Sequence, residues 1–142
     1  MEKRELSLES KIKKKKARIA VIGLGYVGLP LVKTFLNKKF EVLGFDIDQK
    51  KVNWLNQGKS YIKHVKTEEL KSFLKAKKFQ ASSDFSLLAK VDVIIVCVPT
   101  PLDSHKNPDL SFVLKTTEVI SRYLRKGQLV VLESTTSPGT TA

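Results

Sequence analysis

Three glycines, Gly23, Gly25 and Gly28, follow the apolar run 18–22 at the spacing Gly-x-Gly-x-x-Gly. A helical pattern comes next, then a second apolar run at 41–45 and an acid, Asp46, twenty-three positions after Gly23. This order constrains the chain to a strand, a tight turn, a helix and a parallel strand, the unit from which doubly wound α/β sheets are built. Gly23 allows a sharp exit from the strand. Gly25 lets the backbone approach a pyrophosphate with no side chain in the way, and Gly28 lets the helix pack closely. The free N–H groups and positive dipole end of that helix then face the phosphates. Asp46 ends the second strand, where a carboxylate can accept both hydroxyls of an adenosine ribose. A carboxylate there also repels a 2′-phosphate, which favours NAD over NADP, although Lys50 and Lys51 lie close behind. Taken by itself, Asp46 would serve equally as a turn acid at a strand end.

The remainder of the chain alternates in the same way. The pattern predicts strands at 18–22, 41–45, 79–82, 91–98 and 129–132, and the run 91–98 is continuously apolar apart from Asp92, as in a strand covered on both faces. It predicts a helix at 26–37 burying Val27, Leu31 and Phe35, with Pro30 tolerated in the first turn. A short helix follows, capped by Asp48 and closed by Gly58, with Val52 and Leu55 inward. Thr67 is expected to cap a helix whose face is Leu70, Phe73 and Leu74, and a helical turn should occupy 84–89. Asp109 should cap a long helix that buries Val113, Thr117, Ile120 and Leu124 before Gly127. Strands alternating with helices imply right-handed crossovers and one parallel sheet. Residues 1–16 read as a basic polar leader, a frayed helix at most, anchored by Leu6, Leu8 and Ile12, and residues 17–142 as one domain.

The formal charge is +12, and the leader carries seven Lys/Arg against three Glu while the other 126 residues carry nineteen against eleven. Because the excess is spread out, with no interleaved aromatics and no nucleic-acid motif, it reads as a solvated basic surface, suited to attracting anionic ligands, rather than as a specific nucleic-acid interface. The longest apolar stretch, 93–98, is far too short to span a bilayer. No apolar h-region follows the basic leader, so no signal peptide is expected. A single cysteine cannot form an intramolecular disulfide, which fits a cytoplasmic protein. No spacing of His, Cys or acids suggests a metal site.

In doubly wound sheets, ligands bind beyond the carboxyl ends of the strands. Here those ends are residues 23–28, Asp46, Ser82–Ser83, Pro99–Pro101 and 133–136, where hydroxyls and carboxylates gather.

At these positions the sequence resembles the amino-terminal, NAD-binding domain of the UDP-glucose/GDP-mannose dehydrogenase family. The resemblance is carried by Gly-Leu-Gly-Tyr-Val-Gly-Leu-Pro at 23–30, Gly-Phe-Asp-Ile-Asp at 44–48, Val-Pro-Thr-Pro at 98–101 and Glu-Ser-Thr-Thr-Ser-Pro-Gly-Thr-Thr at 133–141. Gly-Lys-Ser-Tyr-Ile-Lys-His-Val at 58–65 and Pro-Asp-Leu-Ser at 108–111 look most like the UDP-N-acetylglucosamine 6-dehydrogenase branch. The resemblance implies oxidation of a nucleotide sugar's C6 hydroxymethyl group to a carboxylate, in two hydride transfers to two NAD, through a thiohemiacetal and a thioester on a cysteine. It further implies that Tyr26 and Val27 touch the pyrophosphate, that Asp46 holds the adenosine ribose, and that Lys51 lies in the same region. Ser82, Pro99 and Thr100 would line the cofactor, Thr100 would help hold a water, and Glu133 would act as its general base or relay. Without the resemblance, Glu133 is a strand-end acid and Thr100 a rigid turn residue between prolines.

Within the family, the nucleophilic cysteine, the dimer-forming central helix and the UDP-gripping second domain fall beyond position 142, so the resemblance makes this an incomplete Rossmann-type domain. Such a domain is expected to bind NAD without turning over a nucleotide sugar, and to expose an apolar sheet edge that favours association. The full-length relative is expected to be a homodimer. Cys97, inside a buried apolar strand with no basic neighbour, is expected to be inert packing, and His64 a surface loop residue. Two other readings share the glycine fingerprint: a stand-alone NAD-sensing domain, and a 6-phosphogluconate or 3-hydroxyacid dehydrogenase. Thr100 with Glu133 argues against the first, and Val-Pro-Thr-Pro followed by Glu-Ser-Thr against the second.

Overall fold

The computed structural model describes residues 7–61 and 65–133. His64 and the stretch 134–142 lie outside them. Five parallel strands, β1 (Arg18–Ile22), β2 (Glu41–Phe45), β3 (Phe79–Ser82), β4 (Val93–Val96) and β5 (Leu129–Leu132), form one sheet in the order β3-β2-β1-β4-β5. The order turns back at β1, the start of two outward-running halves, and this creates the crevice of a doubly wound sheet between β1 and β4.

Alternation along each strand feeds two cores. Ile19, Val21, Val42, Phe79, Val93 and Ile95 face one side, where α2 (Gly28–Asn37), α3 (Gln49–Asn56) and α4 (Thr67–Lys75) bring Leu29, Val32, Leu36, Val52, Leu55 and Leu70. Ala20, Ile22, Phe45, Ile94 and Val96 face the other, under Leu88 of a 3-10 turn at Phe85–Lys90 and Ile120 of α5 (Ser111–Tyr123). Every residue of β4 is buried, as its covered position requires. The strand next to it is less protected. Leu129, Val130 and Leu132 of the edge strand β5 are 43%, 42% and 55% exposed, so the expected apolar edge is present.

Caps follow local chemistry. Asp48 accepts from the Lys50 N–H and Asp84 from the Ser86 N–H, each at the start of its helix. Thr67 is the first residue of α4 and does not cap it; its hydroxyl accepts from the Ser60 N–H at 3.2 Å and ties the preceding loop back. Asp109 accepts from the Ser111 N–H at 2.9 Å but stands two residues before the helix, whose N-cap is Leu110.

Two helix faces differ from the sequence pattern. In α2 the buried set is Gly28, Leu29, Val32 and Leu36, while Val27 is 42% exposed and Leu31 and Phe35 pack at the flank. A four-residue repeat drifts around a 3.6-residue turn, and the close seating of Gly28 fixes the rotation instead. In α5, Ile120 is the one fully buried residue, Val113 and Tyr123 pack partly, and Thr117 and Leu124 face solvent. This helix packs mainly against the 3-10 turn at Phe85–Lys90, so a narrower face is covered.

The leader holds a short helix, α1 (Leu8–Lys13), whose Leu8 packs on the first core. Its Lys11 Nζ meets Asp92 Oδ1 at 2.9 Å, and the other Asp92 oxygen accepts the Arg18 N–H at 2.9 Å. Asp92, 7% exposed in an otherwise apolar segment, therefore has full partners, with Arg125 Nη2 3.5 Å away. Among the described residues, no helix is long and apolar enough to cross a membrane, and no three His, Cys, Asp or Glu cluster as metal ligands.

Candidate functional site

The register aligns Ile22, Phe45, Ser82, Val96 and Leu132 as the last row of the sheet. One residue farther along, Gly23, Asp46, Cys97 and Glu133 stand side by side at the carboxyl edge. The glycine turn grows from the middle of this row. Gly23 has φ +96, a conformation that side chains disfavour, and its N–H donates to the Phe45 carbonyl at 2.8 Å. The turn folds back so tightly that a Cβ on Gly28 would lie 1.7 Å from the Gly23 carbonyl oxygen. A Cβ on Gly25 would meet nothing within 4 Å. Two of the three glycines are therefore required by protein packing, and the third leaves open space.

That space is bordered by donors. The first helical bond of α2 runs from the Leu29 N–H to the Gly25 carbonyl at 3.1 Å. The N–H groups of Gly25, Tyr26, Val27 and Gly28 have no backbone acceptor among the described residues. Tyr26 is 87% exposed, so its side chain leaves the turn uncovered. A row of free amides at the positive end of a ten-residue helix suits a diphosphate.

Asp46 closes the site on the β2 side. Its Oδ2 accepts from the Leu24 N–H and its Oδ1 from the Asp48 N–H, both at 2.9 Å. Each carboxylate oxygen keeps a second lone pair, so the group can brace the turn and still accept from a ribose. Leu24 itself is fully buried. Its carbonyl accepts the hydroxyl proton of Tyr61, a residue that sequence reasoning missed. The one available signal was an aromatic within the motif 58–65. Burial, and then the charges of Asp46 and Asp48, push the Tyr61 phenol well above its usual range, so it remains a donor. The Lys51 Nζ lies 5.8 Å from the centre of the Tyr61 ring, which brings Lys51 to the Asp46 side of the crevice.

The other expected residues take up the rest of the edge. Ser82 follows β2 in register, and its Oγ accepts from the Asp84 N–H at 2.9 Å, so its hydroxyl already serves the next turn. Pro99 is exposed and Thr100 half-buried at the exit of β4. Glu133 leaves β5 with its N–H on the Val96 carbonyl at 2.9 Å and its side chain exposed. Cys97, beside it, is buried. Burial first, and the Glu133 charge second, push its thiol up to about 11. A thiol so placed stays protonated at neutral pH.

This geometry fits a dinucleotide: open amides for the diphosphate, a carboxylate at the neighbouring strand end for the ribose, and polar groups on the far side of the switch point. The NAD binding domain of the UDP-glucose/GDP-mannose dehydrogenase family matches residues 17–142. The chain belongs to that family. It is 45% identical over 127 residues to UDP-N-acetyl-D-glucosamine 6-dehydrogenase of Pseudomonas aeruginosa, covering 89% of this chain and 29% of that protein. It is 37% identical over 125 residues to UDP-N-acetyl-D-mannosamine dehydrogenase of Pyrococcus horikoshii, covering 87% and 30%. The structure is similar to a ternary complex of GDP-mannose dehydrogenase from Pseudomonas aeruginosa, with TM-score 0.77 and 30% identity over 87% of this chain and 30% of that one. The chain thus spans under a third of the length of the relatives it matches. It is an NAD-binding domain of the nucleotide-sugar dehydrogenase family, with the Rossmann-type sheet read from its sequence.

Proposed function

We propose that this chain supplies the cofactor domain of a UDP-N-acetylglucosamine 6-dehydrogenase, which oxidises the sugar C6 hydroxymethyl group to a carboxylate. The observation that carries the reading is the open amide row 25–28 standing beside the Asp46 carboxylate. The amides of Gly25, Tyr26, Val27 and Gly28 bind the pyrophosphate, Gly23 shapes the turn, and Asp46 accepts from the adenosine ribose with Lys51 alongside. Ser82 and Pro99 border the cofactor. Bound NAD supplies the hydride acceptor. Thr100, at the exit of β4, orients a water, and Glu133 takes or relays its proton as a general base.

The N-acetylglucosamine assignment is supported by the 45% identity to the Pseudomonas aeruginosa glucosamine enzyme. Cys97 is not the nucleophile of this chemistry, because its thiol is buried and protonated. On this reading the 142-residue chain binds NAD, and UDP-sugar turnover needs a nucleophile other than Cys97, which a full reading frame of the relatives' length would supply. Calorimetry and an NADH absorbance assay test both halves. The expected result is NAD binding in preference to NADP, no NADH from the 142-residue chain, and two NADH per UDP-N-acetylglucosamine from the full reading frame. Preference of the full protein for UDP-N-acetylmannosamine or UDP-glucose would overturn the substrate, and turnover by the 142-residue chain would overturn the division of labour.

A further inference from the structure

Tyr61 reaches the glycine turn from outside the strand–helix unit that defines it. Gly58, at φ +79, ends α3 and turns the chain back, with the Lys59 N–H on the Trp54 carbonyl at 2.9 Å and the Ser60 N–H on Thr67 Oγ1 at 3.2 Å. The Tyr61 ring then packs against the first core, 6.4 Å from the Trp54 ring centre. Its hydroxyl donates to the Leu24 carbonyl.

The consequence follows from peptide geometry. Leu24 is held at three points: its buried side chain, its N–H on Asp46 and its carbonyl on Tyr61. In a planar trans peptide the Leu24 carbonyl and the Gly25 N–H point in opposite directions. Holding the carbonyl inward therefore turns the Gly25 amide outward. The same carbonyl lies four residues before Gly28 and is the acceptor that a regular helix would offer to the Gly28 N–H. Here the helix ladder begins one residue later, with Leu29 on Gly25.

We propose that Tyr61 is a positioning residue of the dinucleotide site: its hydroxyl holds the Leu24 carbonyl turned inward, away from the Gly28 N–H, and so keeps the Gly25 and Gly28 amides directed at the pyrophosphate. The proposal rests on reading residues 23–28 as the pyrophosphate site. Tyr61→Phe removes the hydroxyl and keeps the ring in the core. In the variant the Gly28 N–H is free to close onto Leu24.

The test uses 15N-resolved spectra of the 142-residue chain and of Tyr61→Phe, titrated with ADP-ribose and separately with adenosine. The wild type should show ADP-ribose shifts at the amides 25–28. In the variant, ADP-ribose should bind about fivefold more weakly, the effect of one hydrogen bond, while adenosine binds unchanged. Hydrogen exchange of the Gly28 amide should slow, whereas mere loosening of the fold would speed it. Equal loss for both ligands, unchanged ADP-ribose affinity, or faster Gly28 exchange would overturn the role of Tyr61. Absence of shifts at 25–28 in the wild type would instead remove the pyrophosphate reading, and this proposal with it.

Discussion

Gly25→Ala and Gly28→Ala add the same methyl group three residues apart, and the structure assigns them opposite effects. At Gly28 the new Cβ would sit 1.7 Å from the Gly23 carbonyl oxygen and 2.8 Å from its carbon. An ordinary carbon–oxygen contact is about 3.3 Å, so helix or turn must shift by more than an ångström. Neither moves freely, since Gly23 is bonded to Phe45 and abuts the Cys97 backbone. The cost belongs at the upper end of overpacking, about 2–3 kcal/mol, or roughly 10 °C in melting temperature. At Gly25 the methyl meets nothing within 4 Å and the backbone is not left-handed. Stability should stay level or rise by about 0.4–1 kcal/mol through the unfolded chain. The methyl does, however, stand where the diphosphate must approach. Thermal melts with and without NAD separate the two effects. At 100 times the wild-type Kd, NAD should stabilise the wild type by about 2.7 kcal/mol, and a variant binding fiftyfold more weakly by only about 0.65 kcal/mol. A Gly25→Ala protein that melts normally and keeps the full NAD shift would refute this account of the turn, as would a Gly28→Ala protein that melts with the wild type.

Asp46→Asn keeps the size of the side chain but halves its acceptors and removes its charge, so NAD should weaken and the preference over NADP should shrink. Calorimetry with both cofactors measures the ratio, and an unchanged ratio contradicts the ribose assignment. Asp92 is held below the ordinary carboxylate range: burial alone would raise it, but the Arg18 N–H, Lys11 and Arg125 outweigh that. A depressed carboxyl stabilises the fold above its unfolded value of about 3.9 and loses that contribution as pH falls through the folded value. Asp92→Asn should cost about 2 kcal/mol at pH 7 and flatten the acid limb of urea midpoint against pH; parallel acid limbs would count against the pairing. Cys97, with its thiol pushed up to about 11, should resist a disulfide reagent at pH 8 in the native protein and react at once in denaturant. Rapid native labelling would show that the strand is not closed.

Most strands were legible because apolar runs end at glycine, acid or proline, whereas 79–82, Phe-Gln-Ala-Ser before Ser83, shows only alternation. The runs 18–22, 41–45, 79–82 and 129–132 coincide with β1, β2, β3 and β5. The glycine turn and Asp46 were legible because their spacing has a steric reason that is local to one strand–helix–strand unit. Helix rotation was not. Leu31 and Leu29 are both apolar, and only the contact between Gly28 and the Gly23 carbonyl decides which one enters the core. Long-range polar partners were equally hidden. Lys11 meets Asp92 across 81 positions and Tyr61 meets Leu24 across 37. Asp92 was visible as an anomaly in an apolar run, but nothing in the run says that the basic leader supplies its partner.

A crystal structure of the chain grown with NAD tests the central claim most directly. The diphosphate should lie within hydrogen-bond distance of the amides 25–28, with the adenosine ribose hydroxyls on the Asp46 carboxylate. A dinucleotide bound anywhere else, with that crevice filled only by solvent, would contradict it.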